Sequence, residues 1–195
     1  YASAQEEDTT NAKFAALWTQ IANTFKNYSE KLIFEGMNET RAGENWTGNS
    51  QYYQSINRLN QTFVDAVRET GGNNAKRYLV VPTYAALGTK AVVDGTVIPD
   101  DPQKHVIMSI HPYHPGEFCA SASSVSVYND TALNELRTFC VNLKSAFISK
   151  GVPVIFGEMG AVFKNNNDER VKWAQHYIDL TSDFGIRCFY WDNGI

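Results

Sequence analysis

The sequence has few cysteines, and they form no recognisable device. Cys119, Cys140 and Cys188 are odd in number and lack any Cys-x-x-Cys spacing, which argues against a disulfide framework or a structural zinc site. No apolar run reaches the length of a membrane span, and no signal-peptide pattern is present. The chain opens on Tyr1, so the expectation is a removed leader or a longer parent polypeptide. An excess of basic charge is also missing. Lys and Arg number 17 against 21 acidic residues, net charge -4, without a basic stripe. Nucleic acid and membrane surfaces are therefore excluded as expected partners. Internal repeats, low-complexity tracts and linkers are absent, so residues 1–195 are expected to form one domain. Without a Gly-x-Ser-x-Gly elbow or a cysteine in a catalytic context, serine and cysteine nucleophiles have little support.

What is present belongs to a globular protein: 43% hydrophobic and 13% aromatic residues, enough for a real core. Helical spacing joins Phe14, Leu17, Trp18, Ile21 and Phe25, then Ile56, Leu59, Phe63 and Val67. It recurs in Leu133, Leu136, Cys140, Leu143 and Phe147, and in Val171, Ala174, Tyr177 and Ile178. A weaker signal spans residues 84–91. Short apolar runs of strand length fall between these, at 32–34, 78–81, 106–110, 152–156 and 186–191. Gly71, Gly72, Gly151 and Gly185 mark helix exits. Strands apolar on both faces, alternating with helices, predict an α/β fold with a parallel sheet.

Each strand is followed by polar residues: Asn38 and Glu39, then Thr83 and Tyr84, then His111 and Tyr113, then Glu158, then Trp191, Asp192 and Asn193. The C-terminal edge of a parallel α/β sheet is where active sites are built. In "PVIFGEMGA", residues 153–161, Glu158 thus lies at a catalytic rim rather than in the core. Alone, such a carboxylate caps a helix or pairs with an arginine as often as it catalyses. Glu39 is equally ambiguous, and the nearby Glu35 reads as a buried structural partner. Two glutamates on one rim are a stronger signal, because glycoside hydrolysis needs one carboxyl to protonate the leaving oxygen and another to attack or activate water. The acid of such a pair must hold its proton near neutral pH, helped by partial burial and its neighbour's charge.

His111, His114 and Glu117 in "HPYHPGE" suggest a metal, but Pro112 and Pro115 forbid the helical turn that would bring both histidines to one face. Trp191 fits a floor on which a sugar ring stacks. For Trp46, in "AGENWTGNS", a second sugar platform and an incidental surface residue stand equal.

The segments "LIFEGMNE", "RYLVVPTYAA", "HVIMSIHPY", "VPVIFGEMGA" and "CFYWDNG", in this order and spacing, resemble glycoside hydrolase family five, the clan A retaining cellulases built on a TIM barrel. The resemblance implies a partial, truncated TIM-type barrel of about five parallel strands alternating with helices. It implies Glu39 as general acid/base, Glu158 as nucleophile, Asn38 on the sugar 2-hydroxyl, His111 and Tyr113 lining the site, and Trp191 as stacking platform. It further implies a secreted endo-β-1,4-glucanase acting on cellulose or related β-glucans, with no metal and no cofactor.

Two departures stand out. Thr40 occupies the position where the family carries proline, which makes Asn38 an N-glycosylation sequon. Glycan there would block the site, so Asn38 is expected to be unmodified. The chain also starts at what corresponds to helix three, without strands one to three and the supporting arginine and histidine they carry, whereas a full barrel takes about 250 residues. Five strands cannot close, so the edges near residues 32–36 and 186–191 are expected to be covered in a homo-oligomer. A non-catalytic remnant that binds glucan, and a mannanase or xyloglucanase, are the alternative readings.

Overall fold

The computed structural model describes residues 4–120, 122–129 and 131–192. Helix α1 (Ala4–Thr24) leads to β1 (Phe34–Glu35), α2 (Ser50–Glu69) to β2 (Leu79–Pro82), and the short α3 (Lys90–Gly95) to β3 (Val106–Ile110). Beyond α4 (Gly116–Cys119), α5 (Ala132–Ala146) precedes β4 (Val154–Met159), and α6 (Asn167–Asp183) precedes β5 (Arg187–Tyr190). The strands form one parallel sheet in chain order, β1 to β5, leaving β1 and β5 as its edges. This is the expected partial α/β barrel. The weak signal at 84–91 resolves into a 3-10 turn, Tyr84–Ala86, and α3. Among the described residues, no helix is long and apolar enough to cross a membrane.

Helices form where the apolar stripe can reach the sheet. Ile56, Leu59, Phe63 and Val67 of α2 are buried, and its N-cap Asn49 accepts the Tyr52 amide at 3.0 Å. Phe63 meets Trp18 of α1 edge-on, ring centroids 4.5 Å apart. Leu17 of the expected α1 stripe faces solvent instead. In α6 the stripe is out of phase with the expectation: Val171 and Ile178 are exposed, and Trp173, Tyr177 and Leu180 are buried. The indole of Trp173 sets that phase by donating to His114 O at 2.9 Å, and Tyr177 donates to Pro112 O at 2.6 Å. Leu136, Cys140 and Leu143 of α5 and Phe147 at its C-cap pack into the same core; the Leu133 side chain lies outside the described positions. Gly71, Gly72, Gly151 and Gly185 all take the left-handed backbone expected at helix exits.

The strands are not buried uniformly on both faces. Leu79, Val81, Val106, Met108, Ile110, Val154 and Phe156 pack in the main core with the helices, whereas Ile107, Ile155 and Gly157 on the alternate face are only half-buried. The concave side of the sheet is partly open because the sheet does not close on itself. Glu35, expected as a buried partner, is exposed at the β1 edge for the same reason.

Two cations, Arg77 fully buried and Arg68 partly buried, tie the helical layer to the strands. Arg77, ahead of β2, donates to the carbonyls of Ser29 at 2.7 Å, Tyr28 at 2.9 Å and Phe25 at 3.2 Å, and to Leu32 O. It thereby satisfies carbonyls beyond the end of α1 and fixes the segment that becomes β1. Arg68 grips Asp101 bidentately, at 2.9 and 2.8 Å. Burial works against the Asp101 charge, but Arg68 and the amides of His105 and Gln103 hold its carboxyl below the usual range.

Candidate active site

Glu39 arrives from the end of β1. Gly36 continues the ladder, its N–H donating to Val80 O at 2.9 Å, while Trp18 donates to Gly36 O at 3.2 Å. The following loop is sewn down by Tyr84, whose hydroxyl donates to Asn45 O at 2.7 Å and accepts the Ala42 amide at 3.1 Å. Thr83 and Tyr84, expected at the rim, are thus buried structural residues. Ala85 and Ala86 both adopt left-handed backbone, a strained choice for alanine. It lets the Ala85 amide donate to Thr40 O at 3.1 Å and the Ala86 carbonyl accept the His111 amide at 2.8 Å. This turn therefore links the loop carrying Glu39 to the end of β3.

His111 is almost completely buried, with 6% of its surface exposed. Its Nδ1 lies 3.0 Å from Glu39 Oε1 and 3.6 Å from Glu158 Oε1. Glu158 sits inside β4, not after it. The pairing register shifts between Phe156 and Met159, so one extra residue on β4 is accommodated against β5. Such a bulge re-aims a side chain. Gly157 at this bulge has a steric reason to lack a β-carbon: one would stand 2.4 Å from Ser109 Oγ and 3.0 Å from His111 Nε2. The Tyr113 hydroxyl donates to Glu158 Oε2 at 2.5 Å. Burial, then the Glu158 bond, push the Tyr113 hydroxyl pKa well above its ordinary value, so it stays a donor.

One cleft of about 650 Å³ collects Asn38, Glu39, His111, Tyr113, Glu158 and Trp191, the residues the resemblance assigns to the site, together with Trp46. Ala85, Leu87, Gly88, Thr89, Pro112, His114 and Phe139 complete its lining. Trp191 is 53% exposed, anchored by its amide to Met159 O at 2.8 Å, and with Tyr113 it separates this cleft from a second hollow beside Tyr190 and Arg170. Trp46, left undecided by the sequence, belongs to the cleft and is 43% exposed. Its loop is fixed by Asn45 Oδ1, which accepts the amides of Thr47 at 3.0 Å and Gly48 at 2.8 Å. The Arg41 guanidinium lies 3.8 Å over its ring, a partner the sequence did not suggest. Asn38 is exposed at the cleft, and Asn193 lies outside the described residues.

The His111, His114 and Glu117 grouping does not form. His114 Nε2 faces Glu135 at 3.6 Å, and Glu117 is exposed at the start of α4. Among the described residues, one group of three potential metal donors converges: Glu39, His111 and Glu158, with donor atoms all within 4.8 Å of one another. The cysteines are free thiols, and burial raises Cys119 and Cys140 to about 12. They are not thiolates at neutral pH. Chemically, the cleft offers two carboxylates at close range, one of them held by a phenol, beside exposed aromatic faces.

A profile for "Cellulase (glycosyl hydrolase family 5)" matches residues 1–195. Endoglucanase A of Ruminococcus albus is 42% identical over 196 residues, spanning 96% of this chain and 53% of that protein. Endoglucanase B of Neocallimastix patriciarum is 41% identical, spanning 92% and 38%. A broad-specificity GH5-4 endoglucanase from Ruminococcus champanellensis, solved with cellotriose, superposes with a TM-score of 0.92 at 42% identity, covering 98% of this chain and 57% of its own. A xyloglucan-specific endo-β-1,4-glucanase from a metagenomic library, also with cellotriose, gives 0.92 at 38% identity, covering 99% and 58%. The chain thus spans about half the length of the relatives it matches.

Proposed function

This chain belongs to glycosyl hydrolase family 5, and we propose that it cleaves β-1,4-linked glucans internally by a retaining double displacement. The observation that carries this reading is the Glu39–Glu158 pair, with oxygens no more than 4.8 Å apart around His111. Retaining glycosidases place their carboxyl groups about 5–5.5 Å apart, too close for an intervening water. Glu158 attacks the anomeric carbon while Glu39 gives its proton to the departing glycosidic oxygen. Glu39 then takes a proton from the water that releases the sugar from Glu158. Tyr113 holds Oε2 of Glu158, which designates Oε1 as the attacking atom. Asn38 serves the sugar 2-hydroxyl, and Trp191 and Trp46 are the stacking faces.

Residues 1–195 act, in this reading, as one catalytic unit. The substrate class follows from endoglucanase relatives and from neighbours solved with cellotriose. A polymeric glucan does not enter cells, so the enzyme that cuts it is secreted. Asn38 is unmodified, because a glycan on this exposed cleft residue would occupy the sugar site; an intact-mass measurement finding glycan there contradicts that. The open edges, with Ile33 beside β1 and Phe189 and Tyr190 on β5 exposed, are covered in a homo-oligomer. A monomer by light scattering at micromolar concentration contradicts the assembly but not the chemistry.

The test is release of reducing ends from carboxymethylcellulose, lichenan, xyloglucan and mannan by the purified chain and by Glu158→Gln prepared identically. Release from the glucans that disappears in the variant supports the reading. Release from mannan alone points to the mannanase alternative. No release by the unsubstituted chain from any polymer identifies a remnant in which the pair is present without turnover.

A further inference from the structure

We infer that Glu39, His111 and Glu158 form a binding site for one zinc ion, and that zinc seated there blocks the cleft. The blocking half of this inference rests on the hydrolase reading above; the binding half does not.

Three atoms with lone pairs face one point. His111 Nδ1 stands 3.0 Å from Glu39 Oε1 and 3.6 Å from Glu158 Oε1, and the three donor atoms lie within 4.8 Å of one another. Zinc binds imidazole nitrogen and carboxylate oxygen at about 2.0–2.2 Å in tetrahedral geometry, so two ligands of one ion stand about 3.3–3.6 Å apart. The His111–Glu158 spacing already fits; the 3.0 Å His111–Glu39 pair must part slightly, and the two glutamate oxygens, within 4.8 Å, must swing together on their partly exposed side chains. A nitrogen donor among the oxygens favours zinc over magnesium or calcium, which prefer all-oxygen sites. The carboxylates are partly open to the cleft, with 21% and 19% of their side chains exposed, so water can complete four ligands.

An independent observation concerns the far side of the imidazole. Ser109 Oγ is fully buried and has no hydrogen-bond partner. It crowds the same point beside Gly157 as His111 Nε2, at 2.4 and 3.0 Å from where a β-carbon would stand. Ser109 Oγ thus stands unpartnered on the Nε2 side of the ring, and a small turn of the imidazole that brings an Nε2 proton to it would leave the Nδ1 lone pair toward the carboxylates. Metal-bound histidines are oriented in this way, by donating their other N–H to an outer partner. Zinc seated on Glu39 and Glu158 takes the oxygens that the hydrolase reading needs for proton delivery and for attack.

The experiment is calorimetric titration of zinc chloride into the full chain at pH 7 in a non-coordinating buffer. It is repeated with His111→Ala, Glu39→Gln and Ser109→Ala, each checked for folding by circular dichroism. One zinc per chain is expected, lost in His111→Ala and Glu39→Gln. Ser109→Ala should weaken it by about tenfold or more. Should His111→Ala not fold, Glu39→Gln, a same-size change at a partly exposed side chain, carries the comparison. Absence of zinc binding at millimolar metal, or unchanged stoichiometry and affinity in a folded Glu39→Gln or His111→Ala, overturns the site. Reducing-end assays with and without zinc separate the two readings. Hydrolysis abolished by zinc and restored by a chelator supports both, and hydrolysis indifferent to saturating zinc overturns the blocking. Zinc binding by a chain that hydrolyses nothing leaves the metal site standing without the hydrolase.

Discussion

Tyr113 and Glu158 share a hydrogen bond of 2.5 Å, made to the carboxylate oxygen other than the one facing His111. The two oxygens of one carboxylate therefore have different neighbours, a phenol for Oε2 and an imidazole for Oε1. Removing the phenol with Tyr113→Phe should lower kcat by about ten- to a hundredfold, the value of a hydrogen bond to a charged group. KM should change little. Steady-state kinetics on a soluble β-glucan measures both.

Gly157→Ala adds one carbon where the Ser109 hydroxyl and the His111 ring already stand. The hydroxyl must turn away and the ring must yield by a few tenths of an ångström, and with it the atom that faces both glutamates. A loss of turnover is expected, smaller than the roughly hundredfold that a one-ångström misplacement costs. The far-ultraviolet spectrum should be unchanged, because Gly157 has no left-handed backbone requirement.

Asp101→Ala leaves Arg68 with an uncompensated charge in a nearly closed setting, since only 12% of its side chain is exposed. Breaking such a pair from one side costs about 3–5 kcal/mol. Urea unfolding should show the midpoint falling at constant slope. As the fold holds the Asp101 pKa down, its contribution is present above the unfolded carboxylate range and disappears as pH falls through the folded value.

The thiols give the opposite sign. Cys119 and Cys140 rise from 9.0 to about 12 through burial, so the fold favours their neutral forms. Stability from this source is complete below pH 9 and is lost as pH climbs from 9 toward 12, by about 1.4 kcal/mol per pH unit per thiol. Denaturation midpoints at pH 8, 9.5 and 11 test this. At pH 8, a thiol reagent should leave both cysteines untouched until urea is added.

Much of this architecture is legible in the sequence because strand-length apolar runs each end in polar residues, and the parallel sheet gathers those ends. Glu39, His111, Tyr113, Glu158 and Trp191 reach one cleft by that rule alone. What escaped depends on partners far away in the chain. Trp46 could not be decided because its place is set by Asn45 and by Arg41 over its ring. Nothing local marks Arg77 as the collector of carbonyls from residues 25–32. The apolar spacing read for α6 omits Trp173 and so misplaces its phase, and a single run cannot reveal that the strand carrying Glu35 lies at an edge. The bulge that turns Glu158 appears only once β4 and β5 are paired.

The sheet keeps its strands in chain order, so β1 and β4 are three places apart. In a flat sheet their ends would stand about 14 Å from each other, at about 4.8 Å per strand. Yet carboxylate oxygens of Glu39, in the loop after β1, and of Glu158, inside β4, come within 4.8 Å. The Glu39 loop and the two side chains reaching inward close part of the gap, and the curl of the sheet closes the rest. The carboxylate separation is thus a gauge of curvature. A slight relaxation at each strand boundary would add up along the row and draw the two acids apart, with every ladder bond and every helix still intact. A protein built this way loses the pairing of its two acids before it loses its shape, and anything that packed against β1 or β5 would shift the reading on the gauge.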